Sequence, residues 1–245
     1  MAKEKNPDKV RVSTPRVTLK YPKLDRVDYG SEKYPDKDGS YNTRFIADRA
    51  DPKVSAMLAK IDAVMERSKA LAEEKLAKMD IKARKKIEAK TGGIVADEAY
   101  SIVYDEDTEE DTGKIDMKVK MKAKGVYGPR HPRKGETWTA KPDLFDGKGK
   151  PMKKGIQIWG GSVAILNFDL EPYFVDGSGS YGVSRRLNAV QIIELVSGGQ
   201  RAASSYGFEA EEDGFDANDV DTDDEDDNDD DSGSDGSSDD DDTDF

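Results

Sequence analysis

The sequence predicts a mainly β fold, a small closed barrel with one inserted α-helix, followed by a disordered acidic tail. The barrel is indicated by short segments that alternate apolar and polar residues between Gly- and Asp-rich turns. The helix is indicated by one long stretch in which apolar residues recur every three or four positions. The tail is indicated by the last 37 residues, which hold 21 acidic residues and no Lys or Arg.

The β segments begin near the N-terminus. Residues 10–21 (VRVSTPRVTLKY) alternate apolar and polar side chains, and Pro15 predicts an edge strand or two short strands there. Residues 22–40 are rich in Tyr, Asp, Gly and Pro and predict a loop, after which residues 41–47 predict a second strand. Later strands are predicted over residues 99–104, 115–124, 137–145, 156–159, 163–173 and 183–196.

The inserted helix is predicted over residues 52–90. Asp51 supplies an N-cap, Pro52 suits the first helical position, and Gly92 and Gly93 end the pattern. One helix of that length would extend about 60 Å at about 1.5 Å per residue. Since a small domain offers no face that long, we expect a break near residues 79–81.

The order of these elements predicts the domain organisation. About five antiparallel strands closed into a barrel, with a helix between strands, form the OB architecture. We therefore predict an OB-fold domain over residues 1–197 and a linker over 198–208. Residues 209–245 predict a disordered tail that ends on Phe245, because a stretch so acidic and so poor in apolar residues cannot bury a core.

The composition excludes several classes of function. The chain has no Cys and a single His, His131, which excludes thiolate zinc sites and Cys nucleophiles and leaves little metal or acid–base chemistry. We expect no cofactor. No apolar run approaches 18 residues, so we expect a soluble cytoplasmic protein with no membrane segment.

Charge is divided unevenly along the chain. The tail holds 21 of the 52 acidic residues and none of the 39 basic ones, so residues 1–208 carry 31 acids against 39 bases. The body is therefore about +8 and the tail about −21. This asymmetry predicts a body that binds a polyanion at a site that the tail can occupy.

One predicted strand concentrates positive charge on a single face. In residues 115–124 (IDMKVKMKAK) the period of two separates lysines from apolar residues. Ammonium groups about 6.6–7 Å apart repel one another unless an anion lies across them, and phosphates of a single nucleic-acid strand recur at a comparable interval. A solvated strand face remains the alternative. The lysines are Lys118, Lys120, Lys122 and Lys124.

Further basic and aromatic residues suggest a groove that holds single strands by charge and base stacking. Tyr127 and Arg130 lie in one basic loop, Lys150 follows a predicted turn at Asp146 and Gly147, and Arg185 lies in a third basic cluster. Tyr173 is the best stacking candidate because Pro172 marks a strand end. We expect Trp138, Trp159 and Phe168 to fill the barrel.

Enzyme motifs are absent from the sequence. It contains no GxxxxGK[ST], GxSxG or HExxH. Residues 142–148 contain Pro-Asp and Asp-x-Lys elements like those of metal-dependent nucleases, but carboxylates three residues apart on one chain do not meet at one ion. We expect no enzymatic activity and no metal site. The nuclease remains a weak alternative, and an acidic-tailed chaperone of basic proteins is another.

Several segments in order resemble the T7-like phage single-stranded DNA-binding proteins. The likeness includes the Met1 to Lys3 start and the final Asp244-Phe245. It is strongest over residues 144–152 (LFDGKGKPM), 158–162 (IWGGS), 170–173 (LEPY) and 190–199 (VQIIELVSGG).

The resemblance implies an OB-fold homodimer in the host cytoplasm that serves phage DNA replication, recombination and repair. It implies DNA contacts at Lys118, Lys120 and Lys122 and base stacking at Tyr173. It also implies that the tail binds the phage DNA polymerase and helicase–primase. The expected contact residues of the tail are Asp240, Asp241, Asp242, Asp244 and Phe245.

Overall fold

The computed structural model describes residues 9–129, 131–153 and 155–196. The predicted linker and tail therefore lie outside the described residues. The helices are α1 Pro52–Lys78 and α2 Ile81–Thr91. The strands are β1 Val10–Ser13, β2 Val17–Gly30, β3 Pro35–Asp48, β4 Val95–Ala96, β5 Ser101–Tyr104, β6 Asp111–Lys122, β7 Lys124–Val126, β8 Thr137–Thr139, β9 Asp143–Phe145, β10 Val163–Val175 and β11 Ser180–Glu194.

Five strands close into a barrel in the order β2–β3–β6–β11–β10. The ring closes where β10 returns to β2, with Val163 opposite Thr18 and Ala164 opposite Val17. The predicted barrel is confirmed, and so is the helical insertion, which lies between β3 and β6. The expectation of antiparallel pairing is wrong for β6 and β11, which run parallel because a long connection rather than a hairpin joins them.

The predicted loop over residues 22–40 is wrong, because most of it belongs to two paired strands. β2 and β3 form one long hairpin whose turn spans Ser31 to Tyr34, with hydrogen bonds between these two residues. Beyond the barrel both faces of this hairpin meet solvent, so its polar composition resembles that of a loop. Gly39 has a φ of 67°, and a Cβ there would lie 2.3 Å from Val27 Cγ1.

Two further strand predictions need correction. Residues 156–159 form no strand and instead follow an irregular path. The strand predicted over 137–145 is divided into β8 and β9 at Lys141 and Pro142, where Pro lacks a ladder donor. The turn predicted at Asp146 is confirmed: its Oδ1 accepts the backbone N–H groups of Lys148 at 2.9 Å and Lys150 at 2.8 Å.

The helical break is confirmed between Lys78 and Ile81. Asp51 caps α1 by accepting the N–H of Lys53 at 2.7 Å, and Asp80 caps α2 by accepting that of Ala83 at 2.9 Å. The apolar face of α1 packs against β10 and β11 through Val54, Met57, Ile61, Val64 and Ala72. In the described ranges no helix combines the length and apolar character needed to cross a bilayer.

A buried serine fixes α1 to the hairpin of β10 and β11. Ser68 is fully buried, and its Oγ lies 2.7 Å from the carbonyl oxygen of Tyr173 and 2.8 Å from that of Gly182. The same Oγ accepts the N–H of Gly182 at 3.1 Å. One hydroxyl proton serves one carbonyl at a time, so the serine bridges both strands. The helix thereby fixes the backbone at Tyr173, which carries a candidate site residue.

Candidate nucleic-acid interface

An open groove of about 680 Å³ runs between β6 and β11 on the outer face of the barrel. Five cationic side chains and two aromatic rings contribute to its lining, and the lining includes no carboxylate. Since the lining residues carry only positive charge, the groove suits an extended anion with flat, stackable groups. Its lining residues are Lys118, Lys120, Lys122, Trp138, Tyr173, Val183, Ser184, Arg185 and Arg186.

The predicted alternation of β6 is confirmed over its C-terminal half. Lys118, Lys120 and Lys122 are exposed, whereas Met117 and Val119 are fully buried in the core. Register places Lys120 between Asn42 of β3 and Arg186 of β11. The parallel contact of β6 with β11 thus sets an arginine beside the lysine row.

Arg186 is available to a ligand because the acid opposite it is already paired. Asp169 faces Arg186 across β10 and β11 but bonds to Arg11 Nε at 2.9 Å and Lys9 Nζ at 2.9 Å. Burial alone would raise the pKa of Asp169, but the bonds from Arg11 and Lys9 outweigh it and hold the pKa at about 2. Within the described ranges Arg186 has no carboxylate oxygen within 4 Å.

Arg185 forms part of the groove but is more enclosed than its neighbour. It is half-buried, and burial lowers the pKa of its guanidinium from the ordinary value. One Nη donates to the carbonyl of Ala99, while Nε has no hydrogen-bond partner among the described atoms. Arginine keeps its charge even with a lowered pKa, so Arg185 adds fixed positive potential beneath the groove.

Tyr173, the predicted stacking residue, lines the groove, and its ring is held at the hydroxyl end. The expectation that Pro172 marks a strand end is wrong, because β10 stays paired with β11 as far as Val175. The ring rests over Gly182, where a Cβ would come within 2.8 Å of the phenol oxygen. The hydroxyl donates to Asp97 Oδ2 at 2.7 Å. Burial, helped by that bond, raises the pKa of Tyr173 to about 12, so the hydroxyl stays a donor at any working pH.

Trp138 is the groove residue that the sequence assigned wrongly to the core. It is half-buried, not enclosed, and its indole covers Gly125 of β7, where a Cβ would lie 2.5 Å from the ring. Phe168 does fill the barrel as expected, but Trp159 is 40% exposed. Trp138 pairs with β7, which follows Lys122, so it lies at the C-terminal end of the lysine row. Tyr173 pairs with Gly182, which precedes Arg186 on β11 and so lies toward the other end of the row.

Two carboxylates of the β2–β3 hairpin reach the lysine row from outside the groove. Asp36 lies 2.8 Å from Lys120 Nζ, and Asp38 lies 3.5 Å from Lys122 Nζ. The bond from Lys120 lowers the pKa of Asp36. Lys118 makes no such ion pair to a described carboxylate. The sequence did not predict that these acids contact the lysine row, because their segment was interpreted as a loop with no defined strand neighbour.

The remaining predicted residues are placed elsewhere. Lys124 follows a break at Ala123 and lines a separate cleft with Tyr29 and Tyr41. Tyr127 stacks on His131 with a centroid distance of 4.1 Å. Lys150 ends the Asp146 turn beside the C-terminal part of β11. Arg130 and the five tail residues, Asp240, Asp241, Asp242, Asp244 and Phe245, lie outside the described residues.

Comparison with known proteins assigns the family. A family model described as "Single-stranded DNA-binding protein, Bacteriophage T7" matches residues 17–195. The chain belongs to this family. The resemblance noted from the sequence is thereby confirmed, and this phage single-stranded DNA-binding protein carries its candidate groove within the matched range. A search of curated proteins finds no significant match.

One solved structure agrees with the fold. The crystal structure of gp2.5, a single-stranded DNA-binding protein encoded by bacteriophage T7, aligns with a TM-score of 0.59 at 23% identity. The alignment covers 85% of this chain and 99% of that one. The single-stranded DNA-binding protein of bacteriophage Enc34 in complex with ssDNA aligns more weakly, with a TM-score of 0.43 at 12% identity over 80% of this chain and 91% of that one.

Neutralising the hairpin acids tests whether they compete with DNA for the lysine row. In the Asp36→Asn/Asp38→Asn variant, phosphates meet Lys120 and Lys122 without displacing an ion pair. Exposed pairs each contribute about 0.2–1 kcal/mol, so losing two of them should give about 2- to 30-fold tighter binding of oligo-dT at low salt. Fluorescence anisotropy measures this affinity.

The matched control is Asp62→Asn/Glu66→Gln, which removes two exposed carboxylates from α1 without touching the groove. It should change affinity much less. Equal tightening in both variants would mean that only net charge matters and that the hairpin acids have no special position.

Proposed function

We propose that the groove between β6 and β11 binds single-stranded DNA through its phosphates and bases without reading base sequence. The observation that carries the proposal is the convergence of Lys118, Lys120, Lys122, Arg185 and Arg186 with two aromatic side chains on one open surface. Family membership supports DNA as the anion. The protein acts by binding, so it needs no cofactor and performs no reaction.

The two kinds of side chain supply different parts of the affinity. Cations bind phosphates and release counterions, so log K falls with log salt by about 0.7 for each phosphate neutralised on a single strand. Tyr173 and Trp138 offer ring faces, and each base stack is worth about 1–3 kcal/mol. Neither interaction distinguishes one base sharply from another, so preference among sequences is slight.

The acidic tail completes the proposed mechanism. Residues 209–245 carry charge opposite to that of the groove. Because the tail is part of the same chain, its effective concentration at the groove is on the order of millimolar, so even weak pairing with the lysine row is populated. DNA displaces the tail, and the tail then recruits the phage DNA polymerase and helicase–primase. In that complex Phe245 is the apolar anchor, and Asp240, Asp241, Asp242 and Asp244 supply charge.

The sequence resemblance also supports a homodimer in the host cytoplasm that serves DNA replication, recombination and repair. Its molar mass in solution distinguishes a dimer from a 27.0 kDa monomer.

The alternative of an acidic-tailed chaperone accounts for the tail but leaves the cationic groove without a role. Titrations with oligo-dT and with a histone-like protein separate the two. A nuclease would cleave DNA in the presence of magnesium, and the Asp146→Ala variant would lose that cleavage.

Removing two groove cations that have no ion pair with a described carboxylate tests the DNA path. Lys118→Ala/Arg186→Ala removes two phosphate contacts, so the salt dependence of oligo-dT binding should decrease by about 1.4 in slope. Affinity should fall most at low salt, where counterion release contributes most. Anisotropy titrations at several salt concentrations give the slope. Lys60→Ala/Lys86→Ala, on exposed helical positions, is the control; the same loss of slope there would contradict the groove assignment.

Deleting residues 209–245 tests competition by the tail. The truncated protein should bind oligo-dT more tightly at low salt and converge with the full chain at high salt, because screening weakens the tail's hold on the groove. Adding the tail as a separate peptide should restore the weaker binding. Phe245→Ala should keep the competition but lose polymerase binding. Identical oligo-dT curves for the truncated and full chains at low salt would rule out competition.

A further inference from the structure

A short segment between α2 and β5 runs along the start of β11 and is fixed at several points. β4 pairs with β11, with Val95 opposite Ser180 and Ala96 opposite Tyr181. The next residue, Asp97, donates its backbone N–H to the carbonyl of Tyr181 at 2.7 Å. Two residues later, the carbonyl of Ala99 accepts from Arg185. This 95–99 segment therefore holds Asp97 at a defined place beside the groove.

From that place the Asp97 carboxylate reaches a groove residue. Its Oδ2 accepts the hydroxyl proton of Tyr173 at 2.7 Å, yet Asp97 itself does not line the groove. The hydroxyl end of the ring also packs over Gly182, whose backbone is bonded to buried Ser68 of α1. The phenol ring is thus fixed at its hydroxyl by the 95–99 segment and below by the β10–β11 hairpin.

An acidic side chain at the edge of a phosphate-binding groove opposes binding by its charge. The cationic lining of the groove, which includes Arg185, offsets part of that charge. The carboxylate nevertheless repels phosphates and weakens DNA binding, so its presence indicates a second role. The hydrogen bond to Tyr173 is that second role, because it restricts a ring that would otherwise rotate.

We propose that Asp97 is a positioning residue for DNA binding, which holds the Tyr173 ring in the orientation in which a base stacks on it. The inference rests on the groove proposed above. A ring ordered before DNA arrives loses less conformational entropy on binding, so the stack contributes more to affinity. The role of Asp97 is as an acceptor, and its negative charge is incidental.

Photocross-linking to oligo-dT that carries 5-iodouracil tests this role, because its yield depends on ring-to-base geometry. The full-length protein is used at saturating DNA, so differences in affinity do not enter the yield. In Asp97→Ala we expect several-fold less cross-linking at Tyr173 and about 2- to 10-fold weaker binding. Asp97→Asn should retain cross-linking, because its amide oxygen accepts the same bond without the charge. Glu98→Ala removes a neighbouring exposed carboxylate and should change neither measurement.

A double-mutant cycle with Tyr173→Phe separates positioning from folding. If Asp97 acts through the hydroxyl, Asp97→Ala should weaken DNA binding no further once Tyr173 is Phe. Full cross-linking in Asp97→Ala, loss in Asp97→Asn, or additive losses in the cycle would each overturn the inference while leaving the groove intact. If the unaltered protein showed no cross-link at Tyr173, the proposed DNA path itself would fail.

Discussion

The crowding of like charges where β6 and β11 run parallel is the constraint on which the site depends. Side chains two residues apart on a strand lie about 7 Å from one another, where two ammonium groups in water repel by about 0.6 kcal/mol. The parallel register adds Arg186 beside Lys120, so the repulsion extends across strands as well as along one. A surface of this kind is most stable when an anion covers it, which is how the fold favours a ligand such as DNA.

The protein limits this repulsion without filling the groove. Asp36 and Asp38 approach Lys120 and Lys122 from the hairpin, at partly exposed positions where a phosphate can replace them. Asp169, which is buried, is held by Lys9 and Arg11 and so does not neutralise Arg186. Exchangeable acids lie at the edge of the groove, and the permanent ion pair lies away from it. The groove therefore keeps a net positive charge, part of which is balanced by the two acids of the hairpin.

The sequence predicted the parts of the site that depend on one strand alone. Alternation along β6 is a local property, so the exposed faces of Lys118, Lys120 and Lys122 followed from the spacing. Pro172 pointed to Tyr173 for a wrong reason, because β10 does not end there but stays paired with β11 as far as Val175. Pairing between distant strands is not local, so neither the place of Arg186 beside Lys120 nor the approach of Asp36 could be read from composition.

Other errors have the same origin. Trp138 was assigned to the core because a large apolar side chain is usually buried, but β7 and β8 form a separate two-stranded sheet in which it covers Gly125. The β2–β3 hairpin was taken for a loop because strands exposed on both faces lose the alternation that marks a strand. Barrel closure and the helical break were predictable, since both follow from patterns repeated over many residues.

The two tryptophans of the chain allow the most direct test of the DNA path. Trp138 lines the groove, whereas Trp159 lies in another cleft beside Tyr21. Trp159→Phe leaves only the groove tryptophan, and its fluorescence should be quenched by oligo-dT as bases stack on the indole. Trp138→Phe leaves only Trp159, whose fluorescence should hardly change. Quenching of Trp159 with no response from Trp138 would contradict the account.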